Sequence, residues 1–212
     1  MAVVLHDNFN DGAAGDWVIN RPGWVALPNS TGHTDKMRLT GSGTARTSSS
    51  YQRDNGAGLG ADTGYSDHYL IIKPNFTLLN TYTYSALRAS NVSSGATFLM
   101  CALFSHNGPQ FRRYVDGSNQ EFSPANALGT TVLPDDSFRF EIIGDVARAI
   151  RVRGDGSEVV EIDNFNVSAL PPSNYAGITT WYSGHYDEVT IGNFEGSSGG
   201  NPTPNHGLLA LF

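Results

Sequence analysis

Strict two-residue alternation, repeatedly cut short by turn residues, most narrows what this chain can fold into. In Ser137-Phe138-Arg139-Phe140-Glu141-Ile142 the apolar residues take every second position and charges lie between them. Successive strand side chains point to opposite faces, so Phe138, Phe140 and Ile142 share a core-directed face and Arg139 and Glu141 the other. The run Ala147-Arg148-Ala149-Ile150-Arg151-Val152-Arg153 reads as the next strand, with its three arginines expected on a single face. Gly154-Asp155-Gly156 follows, and Val159-Val160-Glu161-Ile162 resumes the pattern. That is a hairpin, because Asp-Gly and Gly supply the positive φ of a tight turn. Further strands are expected at Val3–Phe9, Lys36–Thr40, Ala45–Tyr51, His68–Lys73, Tyr82–Ala89, Thr97–Phe104, Phe111–Val115, Tyr175–Tyr182 and Tyr186–Phe194. The Gly-rich stretch Asp54–Gly64 reads as a surface loop between strands. Many short strands with turn signals between them predict an all-β, two-sheet antiparallel sandwich.

Composition bounds the function classes. The chain has 212 residues, which suits one undivided sandwich. With 39% hydrophobic and 16% charged residues it is too apolar and too weakly charged for disorder. A net charge of −7 argues against nucleic acid, which is bound by neutralising phosphates. Cys101, the one cysteine, sits in the apolar run Phe98–Phe104 and reads as a buried inert thiol, so no intrachain disulfide is expected. The start Met1-Ala2-Val3-Val4-Leu5 lacks a basic segment and a long apolar stretch, so no signal peptide is expected, and no run is long enough to span a membrane.

The sandwich is expected over residues 1–195 and a short C-terminal tail over 196–212. Glu195-Gly196-Ser197-Ser198-Gly199-Gly200 has the composition of a flexible linker, and Asn201-Pro202-Thr203-Pro204 is stiffer. The chain then ends Leu208-Leu209-Ala210-Leu211-Phe212. An apolar pentamer left in water is a liability, so Leu208, Leu209, Leu211 and Phe212 are expected to dock on a partner or on the domain itself.

Two end segments carry a resemblance. Asp7-Asn8-Phe9-Asn10-Asp11-Gly12, followed by Trp17 and Trp24, resembles the first strand of concanavalin A-like lectin/glucanase (laminin-G-like) domains. Tyr186-Asp187-Glu188-Val189-Thr190-Ile191-Gly192 resembles their last core strand, which lies beside the first. The resemblance covers roughly residues 3–195, and Arg139–Arg153 with Glu158–Asp163 fits a central hairpin of that fold. It implies a jelly roll with one concave sheet, used for glycan binding, in some members for glycoside hydrolysis, and often in bacteriophage virion proteins.

The hydrolase members carry a Glu-x-Asp-x-Glu strand. Here Glu161-Ile162-Asp163-Asn164-Phe165-Asn166 matches the first two positions, but Phe165 stands where the acid/base carboxyl belongs and Asn166 at the bulged alternative. Retaining hydrolysis needs two carboxyl groups about 5–5.5 Å apart, one able to donate a proton. No catalytic residue is therefore assigned. Sugar rings present apolar faces and polar rims, so glycan binding calls for exposed aromatics with hydrogen-bonding neighbours. Trp181, Tyr182, His185 and Tyr186 are the leading candidates, on an expected loop between the last two strands, with Trp17, Trp24, Tyr65 and Tyr69 behind them. Asp7, Asn10, Asp11 and Asp187 gather oxygen ligands that calcium could use, although Asx residues also cap turns without a metal. No other cofactor is expected.

The expected function is that of a non-catalytic virion surface protein, made in a host cytoplasm without a signal peptide. A bacteriophage capsid decoration, head fibre or tail-associated module fits, touching host glycans and held to other virion proteins or to copies of itself by the tail. The alternative is a free carbohydrate-binding module or lectin, and a glycoside hydrolase stands behind both.

Overall fold

A computed structural model describes residues 1–28, 37–40, 43–47, 58–75, 82–92, 95–105, 107–123, 132–179 and 185–194. Among these, fifteen strands run in chain order: β1 (Ala2–Asp7), β2 (Val25–Ala26), β3 (Met37–Leu39), β4 (Ala45–Thr47), β5 (Gly58–Asp62), β6 (His68–Pro74), β7 (Tyr82–Val92), β8 (Gly95–Phe104), β9 (Gly108–Val115), β10 (Ser118–Phe122), β11 (Ser137–Ile143), β12 (Val146–Val152), β13 (Glu158–Asn166), β14 (Tyr175–Thr179) and β15 (His185–Asn193). One 3₁₀ turn, Val18–Asn20, is the sole helical element among the described residues, and none of them forms a helix able to cross a membrane.

The strands make two antiparallel sheets. One has the order β13-β12-β11-β6-β15-β4-β3, with β1 also paired to β15; the other runs β10-β9-β8-β7-β14-β5-β2. The first and last strands meet, Leu5 opposite Ile191 and Asp7 opposite Val189, as the resemblance implies. The expected all-β, two-sheet jelly-roll sandwich is what the chain forms.

The alternation in β11 survives intact. Phe138, Phe140 and Ile142 are buried in the sandwich core with Leu70, Ile72, Leu99, Cys101, Phe111, Ile178, Val189 and Ile191. The expectation for the arginines of β12 fails. Arg151 pairs with Phe138 and Arg148 with Glu141, so the two point to opposite sides. Three positions separate them, and alternation gives opposite faces to any odd spacing. Arg151 enters the inner face beside the Phe138 ring and meets Glu161 at 2.8 Å. Arg148 stays outside with Asp163 at 2.9 Å.

A second correction concerns Asp54–Gly64. Most of its described part is β5, a largely buried strand between β14 and β2, not a loop. Glycines belong there because the backbones crowd. A Cβ on Gly60 would lie 2.0 Å from the Ala176 carbonyl oxygen, and one on Gly177 would lie 2.3 Å from that of Leu59. Strands β2 and β10 were also unforeseen, being short and poor in alternation.

The outer face of the second sheet carries its own apolar cluster. Tyr84, Ala86, Phe98, Met100, Ala102 and Tyr114 are buried there with Leu27, and Phe98 stacks on Tyr114 with centroids 5.0 Å apart. Cross-strand partners Ala86 and Met100, and Phe98 and Tyr114, set this face apart from the inner one.

Candidate functional site

The chain after β1 builds the candidate site. Just beyond β1, Phe9 turns the chain with φ +57, and its N–H donates to Asp7 Oδ1 at 2.8 Å. The segment from Ala13 to Arg21 is then stapled to β3. Gly15 N–H donates to the Leu39 carbonyl at 2.9 Å, Leu39 N–H to that of Asp16 at 2.9 Å, and Trp17 bridges Arg38. Asp16 accepts the Ala13 N–H at 2.9 Å. The 3₁₀ turn Val18–Asn20 buries Val18 and brings Arg21 back toward β1.

These residues wall a cleft of about 390 Å³ lined by Gly15, Asp16, Trp17, Asn20 and Arg21. Trp17 is half-buried, and the Arg38 guanidinium lies 3.4 Å from its ring centroid, a cation–π contact that fixes the indole. The floor is a charge cluster. Arg21 donates to Asp7 through Nε at 2.6 Å and Nη2 at 2.7 Å, a bidentate pair, and Nη2 also reaches Asp11. Asp7 is buried and accepts the Trp24 indole N–H at 2.8 Å as well. Hydrogen bonding to Asp7 pushes the Arg21 pKa above its ordinary value, and Arg21 holds the Asp11 carboxyl below the usual carboxylate range. A fixed indole beside oriented polar groups is what binding a sugar ring demands; no nucleophile–base pair stands among these lining residues.

The candidates from the sequence are distributed otherwise than expected. Trp181 and Tyr182 lie outside the described residues, as does the whole tail with Leu208, Leu209, Leu211 and Phe212. His185 and Tyr186 open β15 instead of forming a loop, and both are buried, Tyr186 at 0% exposure. The Tyr186 hydroxyl donates to the Tyr84 carbonyl at 2.7 Å and accepts the Tyr84 N–H at 3.2 Å. A ring with no exposed face cannot stack on a sugar, so Tyr186 is withdrawn as a contact residue and is a core residue. The cause is a register shift between Tyr186 and Glu188, which lets Tyr186 and Val189 both point inward.

The metal candidates do not assemble. Asp7 and Asp11 close on a guanidinium, whose positive charge already meets both carboxylates. Asp187 Oδ1 instead accepts Thr44 Oγ1 at 2.7 Å and Asn75 Nδ2 at 2.8 Å, and the Asn10 N–H caps Asn8 at 3.2 Å. These four residues do not fit a calcium ligand set. Among the described residues no group of three or more His, Cys, Asp or Glu is placed to hold a metal.

The Glu161–Asp163 pair is likewise split. Shifts in the β12–β13 register, between Ala147 and Ala149 and between Ala149 and Ile150, break the alternation. Glu161 turns inward to Arg151, with burial raising its pKa, while Asp163 is exposed on Arg148. Phe165 fills the core. Of the secondary aromatics, Trp24 is a core residue tied to Asp7, and Tyr69 is buried over Gly192. Tyr65 is exposed. Nothing in the sequence neighbourhood of Trp17 announces Arg38, which the fold sets against its ring.

No family model and no curated protein matches the chain. Solved structures do. The xylan β-1,4-xylosidase of Bacillus halodurans C-125 aligns at TM-score 0.54 and 9% identity, covering 89% of this chain and 39% of that one. This chain thus spans well under half of the xylosidase. The exoplasmic/lumenal domain of VIP36, in its calcium-bound form, aligns at TM-score 0.50 and 12% identity over 89% of each chain. The fold shared with these structures is the two-sheet jelly-roll sandwich, as the two end segments implied. At such identities the likeness is one of fold.

Proposed function

We propose that this domain is a non-catalytic glycan-binding module that contacts sugar through the Trp17 cleft. The carrying observation is the indole fixed by Arg38 at 3.4 Å beside Asp16, Asn20 and Arg21 in an open cleft. One aromatic face supplies apolar contact, and the polar neighbours meet hydroxyl groups. The separation of Glu161 from Asp163 and the burial of Phe165 support the absence of glycoside hydrolysis, since the two carboxyls that match the hydrolase pattern lie on opposite faces of that strand. Calorimetric titration with neutral oligosaccharides is the test. Trp17→Ala should weaken binding by about tenfold or more, the loss of ~1.4 kcal/mol of stacking. Unchanged affinity in a folded variant would remove the cleft from the reading.

The finer reading is a virion surface role, most specifically bacteriophage decoration, with the domain outward and the tail holding it to the particle. Leu208-Leu209-Ala210-Leu211-Phe212, carried on a Gly/Ser/Pro spacer, favours attachment over a free lectin. Mass spectrometry of purified virions should find the chain, and deletion of residues 201–212 should release it; a chain absent from particles ends this reading.

A further inference from the structure

One cation at the site is left over. Arg139, Arg148 and Arg151 of the same sheet each close on a carboxylate, that of Glu158, Asp163 and Glu161 in turn. Arg21 closes on Asp7 and Asp11. Arg38 is exposed on β3, and among the described residues its side chain makes no ion pair or hydrogen bond. What holds it is the stack on Trp17, 3.4 Å from the ring centroid. Asp16, the chain neighbour of Trp17, keeps its Oδ2 on the Ala13 N–H at 2.9 Å. A stacked guanidinium gives the ring its flat face and keeps its N–H donors free in its own plane. The fold therefore holds a charged fork of donors at the side of the indole.

Arg38 does not line the cleft, so cleft and guanidinium lie to different sides of Trp17. A ring stacked on the open indole face would lie roughly 7 Å from the guanidinium, one van der Waals contact added to the 3.4 Å of the existing stack. That span is too long for an acidic group on the stacked ring and suits one carried by the next residue of a glycan chain. We infer that the site takes an acidic glycan, with one ring on the open face of Trp17 and the carboxylate or sulfate of an adjoining residue paired in plane with Arg38. This rests on the glycan-binding reading above. Both acidic groups offer two oxygens to the guanidinium fork, which makes the pair bidentate and charge-assisted. The net charge of −7 opposes the anion only weakly, since exposed charges are screened beyond about 8 Å at physiological ionic strength.

The test is binding of the full chain to matched oligosaccharides, each printed in neutral, uronic-acid and sulfated form. An acidic form should bind about five- to tenfold more tightly than its neutral counterpart, and added salt should narrow the gap. Which acidic form does so tells carboxylate from sulfate. Arg38→Gln removes the charge at an exposed position, so the acidic-to-neutral ratio should fall toward one, whatever becomes of the stacking that both forms share. Equal binding of neutral and acidic forms, or a ratio that survives Arg38→Gln, would overturn the acidic ligand; loss of that binding in Trp17→Ala would then leave the cleft standing. Affinity unmoved by Trp17→Ala, or no binding to any sugar, would overturn both. Should Trp17→Ala fail to fold, Trp17→Phe retains a ring on the same backbone and carries the same comparison.

Discussion

At the residue scale, Tyr186 shows how one side chain can finish a sheet. The β7–β14 ladder runs no further than Ser85 opposite Ile178, which leaves the outward N–H and C=O of Tyr84 beyond its end. The Tyr186 hydroxyl meets both groups, and Thr179 Oγ1 adds a bond to the carbonyl at 3.3 Å. Burial pushes the Tyr186 phenol far above its ordinary pKa, so it stays a donor at any working pH. Tyr186→Phe keeps the ring and deprives two buried backbone groups of a partner. A loss of about 1–3 kcal/mol in urea unfolding is expected; no change would mean that other groups can serve Tyr84.

At the scale of elements, one end of the sandwich is closed by a buried polar cluster. His68 at the start of β6 is fully buried. Its Nε2 accepts the Arg88 N–H at 3.1 Å, and its Nδ1 lies 3.0 Å from the Tyr65 carbonyl, which assigns the proton to Nδ1. Arg88 has φ +48 at the irregularity in the β7–β8 register, and its guanidinium donates to Ser66 O at 3.1 Å, to Gly144 O and to Asp67. Asp67 in turn accepts the Gly144 N–H at 3.0 Å, joining β6, β7 and the β11–β12 turn. Burial, with Arg88 adding to it, lowers the His68 pKa to about 4, against the opposing pull of the Tyr65 carbonyl and Asp67. The unfolded chain binds the proton near pH 6.5 and the folded one only near pH 4. The His68 contribution is therefore flat above pH 6.5 and is lost progressively as pH falls from 6.5 to 4, by roughly 3 kcal/mol at most. Urea midpoints across that window should fall more steeply for the natural chain than for His68→Gln. Parallel slopes would locate the acid sensitivity elsewhere.

At the scale of the whole molecule, the two chain ends of the sandwich close the same sheet. Among the described residues β1 pairs only with β15, nearly the full length of the domain away in sequence, so closure is a long-range event of the kind that makes all-β domains fold in milliseconds to seconds. Removing Met1–Asp7 takes Leu5 from the core and leaves Arg21 without its buried partner. The two losses sum to roughly 5–10 kcal/mol, the stability of an entire domain. Circular dichroism of the truncated chain should show an unfolded protein. A native spectrum would mean that β15 tolerates a free edge.

How much of this was legible follows the reach of each signal. Alternation in β11 and the Gly154-Asp155-Gly156 turn are local. They placed Phe138, Phe140, Ile142 and the β12–β13 hairpin where the structure has them, with the turn closed by Gly156 N–H to the Arg153 carbonyl at 2.8 Å. Sequence alone thus determined the all-β class, the core face of β11 and the mismatch of Phe165 with an acid/base position. Tertiary structure decided what depends on neighbours distant in the chain. Register shifts turned Tyr186 inward and separated Glu161 from Asp163, because an extra residue in one strand flips everything beyond it. Packing against β14 made a Gly-rich stretch into β5. Arg21, fourteen positions away, claimed Asp7 and left no cation-free ligand set there. The cleft itself belongs to this second group: Trp17 becomes a candidate contact because β3 sets Arg38 against its ring, a meeting that no short-range pattern encodes.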